Sequence, residues 1–383
     1  MASKLWVHSQ FPDKSRDFVW DKVKPGGALA MTADSGWWDR ASGITIARKH
    51  YPADVQADRV FRPPLVATAN QTVDEILNEF KNVDNKIVIY EALNEVEESP
   101  GHPLTGDRLK IYAEWGQYVA EAFHRAGKRY LFGSFSVGQP IDIEGDWLIL
   151  AETIRTVIKF GGALSVHEYN APTVLSGDAS EWLTLRYRKA VERLRRLGVS
   201  PYIIVTELGI DRVYADAPRG WRRAGITAAQ YAQQLAAYDT EIQKDAYVLG
   251  ACIFTCGCNQ DWVDFDINNE DAIADYIRTN TTGPAAWPAG ASHTPLPAPA
   301  PEGNTLIIGA GLRKAESLVG PFLESEQYHF PGTDHEVSLA VGEKGYATWS
   351  RTTNEVIAYA YDGTVYRDFG NRRQGELVRV SEL

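Results

Sequence analysis

The sequence predicts an α/β protein: a (β/α)8 TIM barrel followed by a Pro-rich linker and a small C-terminal domain made mostly of antiparallel strands with one helix. Three observations carry that expectation. Short apolar, β-branched runs recur eight times in the first 281 residues, amphipathic helical patterns fall between them, and the unusual polar residues collect where the runs end. Alternating strand and helix builds a parallel sheet, and eight repeats close it on itself. An open doubly wound sheet is the alternative, but no GxGxxG follows the first run and no phosphate loop occurs anywhere.

In order, the strands are expected at Leu5–His8, Ala28–Thr32, Arg59–Pro63, Lys86–Leu93, Tyr130–Phe135, Ala163–Tyr169, Tyr202–Glu207 and Ala251–Thr255. Helical periodicity marks Val73–Phe80, with Ile76, Leu77 and Phe80 on one stripe, then Leu109–Ala126, Trp182–Leu197 and Ala228–Lys244. Gly127 and Gly198 stand where helix C-caps belong. The barrel is expected over residues 1–281. Residues 282–304, rich in Pro, Ala and Gly without periodicity, read as an extended linker. Residues 305–383 read as a small accessory domain, with a helix at Leu312–Leu323 and strands at Val337–Val341, Tyr346–Ser350, Val356–Tyr361 and Thr364–Phe369. Asp362-Gly363 between the last two is a two-residue hairpin signal.

Composition narrows the function. A formal net charge of -11 disfavours nucleic acid or an anionic membrane surface as the main partner. No apolar run approaches the roughly 20 residues of a membrane span. No secretory signal is visible in MASKLWVHSQ, which leaves the compartment open, a secreted or cell-surface site included. The even spacing of the three cysteines, Cys252, Cys256 and Cys258, puts them on one face of a strand and its exit, a poor geometry for pairing the last two, so buried free thiols are expected. With no CxxC, no HxH and eight histidines scattered singly, neither a metal nor a cofactor is expected, and a metal-dependent barrel hydrolase is disfavoured.

Chemistry concentrates in two stretches. Ile87 to Tyr90 runs straight into Glu91, Asn94 and Glu95, and YIIVTELGI, Tyr202 to Ile210, runs into Glu207. In a parallel barrel the active face is formed by the C-terminal ends of the strands. There also lie His8, Asp34 with Trp37 and Trp38, Arg62, Ser134, Ser136, His167, Tyr169 and the loop Asn259–Asp266 with Trp262. Two carboxylic acids held in different protonation states are what cleavage of a glycosidic bond requires: one protonates the leaving oxygen, the other captures or stabilises the anomeric cation. Strands four and seven face each other across such a barrel, so side chains projecting inward from both can meet.

These residues resemble a known family. Glu91-Ala92-Leu93-Asn94-Glu95 is similar to the WExxNE pattern of clan A glycoside hydrolases, with Tyr90 where tryptophan is often found. Val205-Thr206-Glu207-Leu208-Gly209 resembles that clan's strand-seven nucleophile motif, and His167-Glu168-Tyr169 resembles the His-x-Tyr of its cellulase and mannanase family. The resemblance covers Lys4 to Asn280. It implies retention of configuration, with Glu95 as general acid and base, Glu207 as nucleophile, Asn94 as a donor to the sugar 2-hydroxyl, Tyr169 bonded to the nucleophile, and His167 and an aromatic after strand eight, Trp262, lining the subsite. Glu207 is expected to stay ionised and Glu95 to be raised in pKa. The clan's arginine near the end of strand two is missing from Met31-Thr32-Ala33-Asp34; either Arg62 supplies it from strand three, the preferred expectation, or the strand count slips by one early in the barrel. Trp37 and Trp38, placed on a loop over the active face, are further candidates for binding substrate.

The implied substrate is a polysaccharide or oligosaccharide; glucan, mannan, chitin-type and cell-wall chains all stay open. The linker and accessory domain suggest tethering to substrate or cell wall. The alternative from another class is a non-catalytic carbohydrate-binding or structural barrel in a cell-surface or virion assembly.

Overall fold

The computed structural model describes residues 2–96, 104–175, 182–211 and 219–288, and six further strands between residues 327 and 379. The first unit is a closed barrel of eight parallel strands in sequence order: β1 (Leu5–Ser9), β2 (Gly27–Ala30), β3 (Ile44–Arg48), β4 (Ile89–Glu91), β5 (Tyr130–Phe135), β6 (Ala163–Asn170), β7 (Ile203–Ile210) and β8 (Val248–Cys256). Pairing of Leu5 with Ala251 and of Val7 with Ile253 closes β1 onto β8. No described helix is long and apolar enough to cross a membrane.

Seven of the expected strands lie on observed ones, and the third does not. Arg59–Pro63 falls in a helix, Ala53–Phe61, and the strand before it is Ile44–Arg48. Val60-Phe61 is the last turn of that helix: Gln56, Ala57, Arg59 and Val60 are buried at helical spacing, and Pro63-Pro64 stops the turn. The long amphipathic segments form Leu65–Phe80, Gly106–Arg125, Tyr187–Arg196 and Ala228–Gln243. Gly127 and Gly198 both take φ of 71°, and the amides of Lys128 and Val199 reach back to Phe123 and Leu194, so each helix ends in a Schellman cap.

The lower barrel interior is one apolar layer to which every strand contributes: Trp6, Leu29, Ile44 and Ile46, Ile89, Leu131, Ala163, Ile204 and Cys252. Trp6 fits only because glycine stands opposite it. A Cβ on Gly250 would lie 2.2 Å from its indole ring, and one on Gly27 would lie 2.8 Å from it. Ala285 and Trp287, at the start of the expected linker, pack against this layer from below, and the Ala285 amide donates to the Gly26 carbonyl at 2.7 Å.

The second unit is a six-stranded antiparallel sheet, ordered from Val378–Arg379 through Val365–Asp368, Glu355–Ala360, Gly345–Ser350 and Val337–Gly342 to Gln327–His329. Four of these coincide with the expected strands. The first and last in sequence, Gln327–His329 and Val378–Arg379, are short pieces without an apolar run that would signal them. The expected helix Leu312–Leu323, most of the linker and the Asp362-Gly363 turn lie outside the described residues.

Candidate active site

A layer of polar side chains sits on top of the apolar layer. At the end of β3, Arg48 is wholly buried; its Nε donates to Glu91 Oε2 at 2.5 Å and its Nη1 to Glu207 Oε1. Glu91, at the end of β4 and equally buried, also accepts from the hydroxyls of Ser134, Ser165 and Thr206, on β5, β6 and β7. A buried carboxylate is tolerated only when its oxygens are filled this way. Arg62, expected to do this work, is instead the C-cap of the helix Ala53–Phe61, half exposed and paired with Asp58 at 3.2 Å. The arginine beside Glu207 is Arg48.

Two bulges turn the chemistry inward. Val166 pairs with Val205 but His167 pairs with Glu207, so Thr206 is an extra residue in β7. Strict alternation would aim Thr206 and Glu207 at opposite faces; with the bulge, both reach the barrel interior. A second irregularity, between Gly133 and Phe135 of β5, holds Ser134 at φ of 52° with its hydroxyl on Glu91.

Above this layer, His167 Nδ1 lies 2.6 Å from Glu95 Oε1 and 3.6 Å from Glu207 Oε2. Tyr169 donates its hydroxyl to Glu207 Oε2 at 2.8 Å. Carboxylate oxygens of Glu95 and Glu207 come within 4.8 Å of each other. Burial works against ionising Glu207, but His167 and Arg48 outweigh it and push its pKa down to about 2. Burial also works against a charge on His167, yet the carboxylates of Glu207 and Glu95 raise its pKa above the usual value. His8, wholly buried with Nδ1 3.9 Å from Glu207, is pushed down to about 3 by burial and Arg48 and stands as a neutral ring, its edge against Phe254.

Among the described residues, Glu95, His167 and Glu207 also form the one cluster with the ligand types and spacing of a metal site. The hydrogen bonding disfavours that use. Arg48 Nη2 has only protons to offer to His167 Nε2 at 3.3 Å, so in the neutral ring the proton belongs on Nδ1, the nitrogen that a metal would need bare.

The two carboxylates open into a cleft of about 170 Å³ that Asn94, Gln56, Tyr51, Phe254 and Trp262 also line. Trp262 meets Phe254 edge to face at 5.2 Å on the β8 side. Trp37 and Trp38 take no part. Asp34 caps the short helix Ser35–Trp38 by accepting from the Trp37 amide at 2.7 Å, and the helix drives both indoles into a fully buried cluster with Trp20 and Phe80. A sugar cannot reach them there. The sequence places His8 on the active face, as the structure does, but gives no reading of Arg48 or Gln56; the one available signal is the strand-end position of Arg48 in ITIARKH. Glu168 points away from the site, as alternation requires, into a buried contact with Tyr238 on the outer helices. Cys252, Cys256 and Cys258 are free.

No protein-family model matches the sequence, and no curated protein does. Solved structures with similar folds are glycoside hydrolases. A β-porphyranase of glycoside hydrolase family 86 from Bacteroides plebeius is 12% identical, with a TM-score of 0.37 over 55% of this chain and 37% of that one. A β-glucuronidase from Ruminococcus gnavus is 13% identical, with a TM-score of 0.47 over 73% of this chain and 49% of that one. A 4-O-α-L-rhamnosyl-β-D-glucuronidase from Fusarium oxysporum is 12% identical, with a TM-score of 0.45 over 94% and 77%. The chain thus spans less than half the length of the first two.

Proposed function

We propose that this protein is a retaining β-glycoside hydrolase acting on a polysaccharide or oligosaccharide, with Glu207 as nucleophile and Glu95 as general acid and base. The observation that carries the proposal is the approach of the two carboxylates to within 4.8 Å. Direct attack on the anomeric carbon needs carboxyls about 5–5.5 Å apart, whereas inversion needs roughly 6.5–9.5 Å to admit a water between them.

In the first step Glu207, kept ionised by Arg48 and His167 and oriented by Tyr169, attacks the anomeric carbon while Glu95 passes its proton to the departing oxygen. The glycosidic C–O bond breaks, a glycosyl ester on Glu207 forms, and the leaving alcohol departs neutral. In the second step Glu95, now a carboxylate, takes a proton from water as the water oxygen attacks the same carbon. The ester breaks, the sugar leaves as a hemiacetal of the original configuration, and both acids regain their starting states. Trp262 and Phe254 supply an apolar wall for the sugar ring. Asn94 Oδ1, which has no partner among the described residues, supplies an acceptor for a sugar hydroxyl beside Glu95.

The test is a screen of β-linked polysaccharides and aryl β-glycosides with the wild type beside Glu207→Gln and Glu95→Gln, followed by NMR of the first product. Turnover with release of the β anomer, lost in Glu207→Gln, is expected. Initial release of the α anomer would overturn retention, and full activity of Glu207→Gln would overturn the assignment. The accessory sheet is proposed to hold the barrel to its substrate; a truncation after Pro288, which leaves Ala285 and Trp287 packed on the barrel, with unchanged activity on insoluble glycan would remove that role.

A further inference from the structure

We infer that Gln56 is a positioning residue for the general acid, holding the Glu95 backbone where the carboxyl meets both His167 and the leaving oxygen; this rests on the glycosidase reading above. Glu95 has φ of 48°, a left-handed conformation that a residue with a Cβ adopts only when its surroundings impose it. Two hydrogen bonds impose it. From the β5 side the Glu95 amide donates to the Ser134 carbonyl at 3.0 Å. From the other side the preceding amide, that of Asn94, donates to the Gln56 side-chain oxygen at 2.7 Å.

Gln56 is itself locked. Its side chain is buried, and its Nε2 donates to the Tyr51 carbonyl at 3.2 Å, so the amide can face only one way: oxygen to Asn94, nitrogen to Tyr51. Tyr51 is tied in turn to the helix Leu65–Phe80, its hydroxyl donating to Glu75 at 3.2 Å, and Arg59 meets the same carboxylate at 2.7 Å. The segment after β3 therefore clamps the segment after β4. Glu207 lies on β7 and takes no bond from this clamp. Loss of Gln56 should displace the acid and leave the nucleophile in place.

That asymmetry defines the experiment. Leaving groups that are good anions need no proton from Glu95, and poor ones do. Of phenyl and 2,4-dinitrophenyl β-glycosides of glucose, mannose, galactose, N-acetylglucosamine and glucuronic acid, the pair that the wild type turns over fastest is taken as the probe. Gln56→Met keeps the side-chain length and removes both hydrogen bonds. It should lower kcat/KM at least tenfold on the phenyl glycoside and less than threefold on the dinitrophenyl one, while Gln56→Glu, which retains an acceptor for Asn94, should recover part of the phenyl activity. An equal fall on both substrates, or no fall on either, would overturn the inference. Should Gln56→Met not fold, Gln56→Asn, one methylene too short to span the gap, carries the same comparison. Wild-type turnover lost in Glu207→Gln bears on the enzymatic reading separately, so the two can fail independently.

Discussion

Arg48 and Glu91 form a wholly buried ion pair, Nε to Oε2 at 2.5 Å, and the same guanidinium reaches Glu207. One cation thus serves a structural carboxylate beneath the site and the carboxylate proposed to react. Its planar fork is what allows it, because two nitrogens point in different directions from one rigid group. Arg48→Lys keeps the charge and loses the fork. We expect kcat/KM to fall by about 10²-fold or more, equivalent to about 2.7 kcal/mol. We also expect the acid limb of its pH profile to rise from below pH 3 toward the ordinary carboxylate range, since Glu207 owes its pKa of about 2 partly to Arg48. A profile identical to the wild type's would show that a point charge at position 48, together with His167, holds Glu207 ionised without the fork.

A second prediction concerns Glu168, on the outer face of β6. Burial raises its pKa to about 7, against the opposing hydrogen bonds from Tyr238 and the Tyr187 amide. Its folded pKa lies above the unfolded value of 4.5, so the stabilisation is fully present below about pH 4.5 and is lost as pH rises through 7. The loss amounts to about 3 kcal/mol. Urea unfolding from pH 5 to 8 should show Glu168→Gln losing less stability than the wild type, and parallel curves would contradict it. Glu207 contributes in the opposite sense: its stabilisation is present above pH 4.5 and lost as pH falls through 2, outside this window.

The tryptophans separate by burial. Trp38→Ala should cost about 3–5 kcal/mol of stability, as large core truncations do, with kcat and KM of the folded enzyme unchanged. Trp262→Ala should leave stability nearly as it was and raise KM about tenfold, consistent with the loss of one aromatic contact to a sugar. Thermal melts and steady-state kinetics on both variants check the contrast, and a reversed pattern would contradict the cleft assignment.

Gly250→Ala tests the barrel's lower layer. A methyl there meets the Trp6 ring at 2.2 Å, so the indole must shift within a packed layer, at a cost of about 1–3 kcal/mol. Differential scanning calorimetry should find a lower Tm, and an unchanged Tm would mean that Trp6 has room to move.

Much of the site is legible in the sequence because both candidate carboxylates end β-branched runs, a signal that depends on local residues alone. Glu95, Glu207, His167 and Tyr169 come together in the structure as strand order requires. What stays hidden depends on register or on distant partners. Val60-Phe61-Arg62 before two prolines reads as a strand end, and only burial at helical spacing shows it to be a final helical turn; that misreading concealed Arg48. The extra residue at Thr206 breaks the two-residue period without leaving a glycine or proline to mark it. Trp37 and Trp38 sit where an active-face loop belongs, but an aspartate cap folds that loop into a helix and buries them. Gln56 gives no sign at all, because its role is set by the Asn94 amide, 38 residues away in sequence.

The most direct test of the central claim is intact-protein and peptide mass spectrometry after incubation with a 2-deoxy-2-fluoro β-glycoside of the preferred sugar. The fluorine slows hydrolysis of the ester more than its formation, so a retaining enzyme accumulates the intermediate. The account predicts one added fluoroglycosyl group, located on the peptide that carries Glu207. Steady hydrolysis of ordinary substrate with no adduct formed, or an adduct on any other residue, would contradict it.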